Sequence, residues 1–113
     1  MRGNPIPALA RARTRTRAGD LCERCSCPGS EIHHRRGRAV LDAHTHCGCN
    51  LVLLCNACHR WAHAHPFEAK AEGFIIGRSQ TEMWNETLVV HRQPWLMLCS
   101  YDAIPLSTSS SAG

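Results

Sequence analysis

The residues of this chain best suited to chemistry are histidines and cysteines, and their spacing separates two kinds of metal site. Glu31-Ile-His33-His34 is followed by Asn50, then by Cys55-Asn-Ala-Cys58-His59-Arg-Trp-Ala-His63. Thiolates two residues apart on a tight turn reach one tetrahedral ion, so Cys22, Cys25, Cys55 and Cys58 together predict a closed, structural zinc site. The 29 residues between Cys25 and Cys55 exceed the spacing of a simple zinc ribbon, and a structured insert is expected there. Cys25-x-Cys27 and Cys47-x-Cys49 are rival pairs, able to ligate the same ion or a second one. Cys99 is read as a buried free thiol in a C-terminal strand.

The histidines suggest a different kind of site. Residues four apart on a helix share a face, so His59 and His63 can meet at one metal. A third nitrogen from His33 leaves room for water and a phosphate oxygen, and that openness marks a catalytic metal. His34 is then the unligated histidine beside the metal, suited to act as general base. Neighbours in a regular strand face opposite ways, so His33 and His34 can converge only where the strand ends or distorts. His44, His46, His65 and His91 are read as unremarkable, with His44-x-His46 a minor alternative ligand pair.

The elements that must position these groups follow from local signals. Residues 7–18 predict a short helix, with proline at its start and Gly19 at its end. Residues 31–35 and the all-apolar Leu51-Val-Leu-Leu54 predict strands, separated by a loop over 36–48. The second Cys pair opens a helix over about 56–65, and Pro66 imposes a kink or a new turn ending at Gly73. Further strands are expected at Phe74-Ile-Ile-Gly, Leu88-Val-Val-His, Trp95-Leu-Met-Leu and Ala103-Ile-Pro-Leu, with a turn at Arg92-Gln-Pro. The fold class expected is α+β, in one domain. Residues 1–19 form a basic arm and helix, 20–72 the core, 73–106 C-terminal strands, and the Ser-rich 107–113 a disordered tail.

Composition limits the alternatives. At 113 residues with 43% apolar content, a core can close, but a staple is expected, and eight cysteines can supply one. The first ten residues lack the apolar run of about 7–15 that a secretory leader needs. A cytoplasmic location with reduced, metal-binding thiols is therefore expected over a disulfide-stapled secreted domain. No segment is long and apolar enough to span a membrane. The formal charge of +4 is unevenly spread: residues 1–38 carry +6 and residues 39–113 carry −2. Such a basic front is a footprint for phosphate backbones, with Arg11, Arg13, Arg15, Arg17, Arg35, Arg36 and Arg38 the candidate contacts.

His33-His34, Asn50 before Leu-Val-Leu-Leu-Cys, and Cys58-His59-x-x-x-His63 resemble the HNH endonucleases of the His-Me finger (ββα-metal) fold. The version with two CxxC pairs is similar to small HNH proteins of phages and prophages, and Glu-x-His-His also resembles the nuclease colicins. The likeness covers residues 20–65. It implies that His33, His59 and His63 ligate a divalent metal (Mg2+, Mn2+, Ni2+, Co2+ or Zn2+) and that His34 activates water. Asn50 would hold the loop and orient His34; Asn56, inside the CxxC turn, is the weaker rival. The implied activity is metal-dependent hydrolysis of DNA phosphodiester bonds, with phage packaging machinery as a partner by analogy. The segment between His34 and Asn50 departs from the Gly-rich pattern of the phage proteins. A non-catalytic, zinc-stabilised DNA-binding module is the alternative.

Overall fold

In the computed structural model, residues 5–37 and 41–106 are described. Arg38, residues 1–4 of the basic arm and the Ser-rich 107–113 lie outside them. The chain is α+β, with three α-helices and two small antiparallel sheets among the described residues. Helix α1 (Ala8–Ala18) follows Pro7 and closes on Gly19, whose φ of 65° is the left-handed turn a glycine adopts without strain. Strand β1 (Glu31–His34) pairs with β2 (Leu51–Leu54), His33 opposite Val52 and His34 opposite Leu51. Helix α2 (Asn56–Ala64) starts directly after β2, with the Cys55 sulfur accepting from the Cys58 N–H at its N-terminus. Pro66 begins a separate helix, α3 (Pro66–Ala71), as its fixed φ and missing N–H allow at a first turn.

Beyond Gly73 the chain forms a meander of β3 (Thr87–Val90), β4 (Gln93–Met97) and β5 (Ala103–Pro105). The turn between β3 and β4 is His91-Arg92, both at positive φ, one residue earlier than the sequence suggests. Residues 74–77 are not a strand. The Phe74 carbonyl accepts from His33, and the Ile76 N–H donates to the Arg35 carbonyl, so this backbone is satisfied without a ladder. The segment instead buries Phe74 and Ile76 in two separate apolar clusters. No described helix is long and apolar enough to cross a membrane.

Two apolar clusters form the interior. The larger joins Val52 and Leu54 of β2, Ala62 of α2, Ala69 of α3, Phe74, Leu88 and Met97, with Cys22 and Cys58 among them. The smaller contains Cys49, Ile76 and Met83, flanked by Cys47 and Trp84. Cysteines therefore line both.

Three arginines read as phosphate contacts are instead built into this interior. Arg17 forks onto Glu23 at 2.8 and 3.0 Å and donates to the carbonyls of Gly48 and Leu51, fastening α1 to β2. Arg36 reaches Asp42 at 2.7 Å and the Gln80 carbonyl at 2.8 Å. Arg35, 1% exposed, donates to the carbonyls of Gly73, Cys49 and Glu86 at 2.7–2.8 Å, with Met83 and Thr87 carbonyls slightly farther. Burial lowers its pKa to about 10, so it remains charged at neutral pH. A planar fork of donors suits this cluster of carbonyls better than a point charge would. Because each buried carbonyl left unpaired costs roughly 1–3 kcal/mol, Arg35→Met should destabilise the fold by about 3 kcal/mol or more. Arg35→Lys should recover only part of that loss. Urea unfolding checks both, and a loss below about 1 kcal/mol for Arg35→Met would show that the carbonyls find other donors.

Candidate metal centres

The first centre is assembled by two turns. The knuckle carrying Cys22 and Cys25 is closed by hydrogen bonds from the Cys22 N–H to the Cys27 carbonyl and from the Ser26 N–H to the Cys22 carbonyl. Cys55 and Cys58 come from the start of α2. The four sulfurs lie within 4.8 Å of one another, with Cys25 and Cys55 3.7 Å apart. Zinc–sulfur bonds of about 2.3 Å place tetrahedral sulfurs about 3.8 Å apart, so the spacing fits an ion held by four thiolates. Burial pushes the Cys58 thiol up, against the hydrogen bond from Arg24, and the neighbouring cysteines add to the rise. A thiolate here calls for a cation. Arg24 also stacks on Trp61, 3.5 Å from the ring centre, and pairs with Glu72, tying the knuckle to α2 and α3.

The second centre joins His33 of β1 to His59 and His63 of α2. Ring centres are 5.3 Å apart for His33–His59, 5.7 Å for His33–His63 and 4.8 Å for His59–His63. Two hydrogen bonds select the tautomers. His33 Nε2 lies 2.6 Å from the Phe74 carbonyl, which can only accept, so its proton sits on Nε2 and Nδ1 carries the lone pair. His59 Nδ1 donates to the Glu31 carboxylate, leaving its Nε2 lone pair 3.2 Å from His63 Nε2. A tetrahedral ion would hold such nitrogens about 3.3–3.4 Å apart. Burial lowers His33 to about 4, opposed by the Phe74 hydrogen bond and assisted by its neighbours His59, His63 and Arg35. His33 is therefore neutral at pH 7, the form in which imidazole binds metal. His63 is exposed, so the open side of this cluster meets solvent.

His34 stands apart from this trio. The strand remains regular through His34, so adjacent side chains alternate and the two rings project from opposite faces of β1. His34 is not among the three ligands that lie together, and at the end of β1 its ring sits beside the loop that leads to β2. His34 Nε2 instead lies 3.0 Å from His46 Nδ1, with ring centres 5.1 Å apart. Asn50 is fully buried and spans the loop between β1 and β2. Its Oδ1 accepts from the Arg36 N–H at 2.7 Å, and its Nδ2 donates to the Thr45 and Arg36 carbonyls at 3.0 and 3.2 Å. It thus pins the residues just after His34 to those just before His46.

Comparison with family models, curated proteins and solved structures gives no match for this chain.

Of the arginines proposed for phosphate, Arg11 and Arg13 are exposed and Arg15 is half-buried, all on α1. The Arg13 guanidinium lies 5.6 Å from the centre of the Tyr101 ring, and Arg15 pairs loosely with Asp20 at 3.6 Å. Neither contact withdraws them from solvent as the interior withdraws Arg17, Arg35 and Arg36.

The sequence motif assigns no role to two residues that position its histidines. Glu31 orients His59, and a signal for it exists: it lies two positions before His33, hence on the same face of β1. His46 has no such signal, since its pairing with His34 depends on how the loop folds. Cys99 is exposed in the turn after β4 rather than buried in a strand, and it lies beside His44 and Cys49.

Proposed function

We propose that this chain is a metal-dependent DNA endonuclease of the HNH, ββα-metal type. One observation carries the reading: His33, His59 and His63 converge, with the tautomers of His33 and His59 set by the Phe74 carbonyl and Glu31. A carboxylate or carbonyl behind each ligating ring is the usual support for a metal centre. Three nitrogens leave coordination positions for a phosphate oxygen and water, as a catalytic site requires.

In this mechanism, the metal held by His33, His59 and His63 would polarise the scissile phosphate and stabilise the departing 3′ oxygen. His34, oriented by His46 and by the loop that Asn50 closes, would take a proton from the attacking water. Arg11, Arg13 and Arg15 on α1 are the described arginines best placed to meet the phosphate backbone. The element order β1, β2, α2 and the position of the histidines support the ββα-metal reading.

The test is plasmid cleavage with the metal varied. Imidazole ligands favour Mn2+, Ni2+, Co2+ or Zn2+ over the oxygen-seeking Mg2+, so these ions should support nicking at least as well as magnesium. Strict magnesium dependence would instead indicate a carboxylate ligand, with Glu31 leaving His59 to provide it. DNA binding without cleavage in any metal would leave a zinc-stabilised binding module.

A further inference from the structure

The loop between β1 and β2 meets the turn between β4 and β5 at a second group of sulfur ligands. We propose that His44, Cys47, Cys49 and Cys99 bind a second structural zinc ion, which fastens the C-terminal sheet to the loop carrying His46. Their ligand atoms lie within 4.8 Å of one another. Cys99 Sγ is 3.8 Å from Cys49 Sγ and 3.7 Å from His44 Nδ1. Bonds of about 2.3 Å to sulfur and 2.0–2.1 Å to nitrogen set tetrahedral ligands about 3.5–3.8 Å apart. Three thiolates and one imidazole are a common structural zinc set.

The backbone is shaped for this meeting. A Cβ on Gly48 would lie 2.8 Å from the Leu98 carbonyl oxygen and 2.9 Å from the Tyr101 ring, so only glycine lets the turn bearing Cys99 approach this closely. Tyr101 donates its hydroxyl to the His46 carbonyl at 3.3 Å, and Arg17 holds the Gly48 carbonyl at 2.9 Å. The His44 side is fixed as well, since Asp42 accepts from the His44 N–H at 2.8 Å. The cluster borders the smaller apolar core, as the group of Cys22, Cys25, Cys55 and Cys58 borders the larger. Each core then has its own metal staple.

This assignment does not depend on DNA cleavage, and neither do its readouts. To keep the histidine trio from contributing zinc, the full chain would carry His59→Ala and His63→Ala. Metal analysis of that protein should return two zinc ions per chain, and adding Cys99→Ser should remove one. One ion in the parent, or two retained after Cys99→Ser, would overturn the proposal. Should Cys99→Ser fail to fold, thiol alkylation of the unmutated, zinc-loaded chain decides the question. Cys27, exposed and outside the described clusters, should be modified first, while Cys47 and Cys99 should be modified only after strong chelation. Alkylation of exposed Cys99 as fast as Cys27, or a native Cys49–Cys99 disulfide, would sink the second zinc.

Discussion

Cys55→Ser is expected to unfold the chain and release zinc. Structural zinc in small domains contributes roughly 10–16 kcal/mol of apparent folding free energy. Net stabilities of whole domains run only about 5–15 kcal/mol, so losing the ion removes an amount comparable to the total. Position 55 isolates the metal term well. The Cys55 sulfur also caps α2 by accepting from the Cys58 N–H at 3.4 Å, and serine is a good replacement for that role. What serine cannot supply is the fourth thiolate. Circular dichroism and zinc content on the same sample measure the effect, and strong chelation of the unmutated chain should reproduce it. Cys27→Ser should leave fold and zinc unchanged, because Cys27 is exposed and outside the described clusters. An unaltered melting temperature for Cys55→Ser would reject the four-thiolate centre.

His34→Ala should abolish DNA cleavage while leaving fold and divalent-metal binding nearly intact. A missing general base typically slows reaction by about 10²–10⁴. The geometry sharpens the contrast with His33→Ala. His33 is 5% exposed, faces His59 and His63 and donates to the Phe74 carbonyl, so its removal should weaken metal binding and stability together. His34 is half-buried on the other face of the strand and paired with His46. His46→Ala should therefore give a partial version of the His34 phenotype, lowering the rate without displacing metal. Single-turnover cleavage and metal titration on the three variants separate these outcomes. Near-normal cleavage by His34→Ala would discard the proposed mechanism and favour the binding module.

The α+β class and the positions of most elements could be read from local signals. Pro7 and Gly19 bracket α1, the apolar run over Leu51–Leu54 is a fully buried strand, and Pro66 separates two helices. The grouping of Cys22, Cys25, Cys55 and Cys58, and that of His33, His59 and His63, were legible for the same reason. CxxC turns and an i, i+4 pair have local geometries that spacing alone fixes, and β1 had only to pair with β2 to complete them. The segment over 74–77 misled because a short apolar run signals burial and not the ladder that would make it a strand.

Tertiary structure alone decided which charges face solvent and which thiols meet. Nine arginines in the first 38 residues look alike in sequence, yet Arg17, Arg35 and Arg36 are spent on interior carbonyls and carboxylates. Their partners lie up to 52 positions away, beyond the reach of any local pattern. The partition of His44 from His46 is of the same kind: one turn of the loop sends the first toward Cys99 and the second toward His34. Cys99 reaches Cys49 across 50 positions only because Gly48 lets two backbones come together. Spacing specifies a site when its ligands share one turn or helix; where they come from distant loops, only packing brings them together.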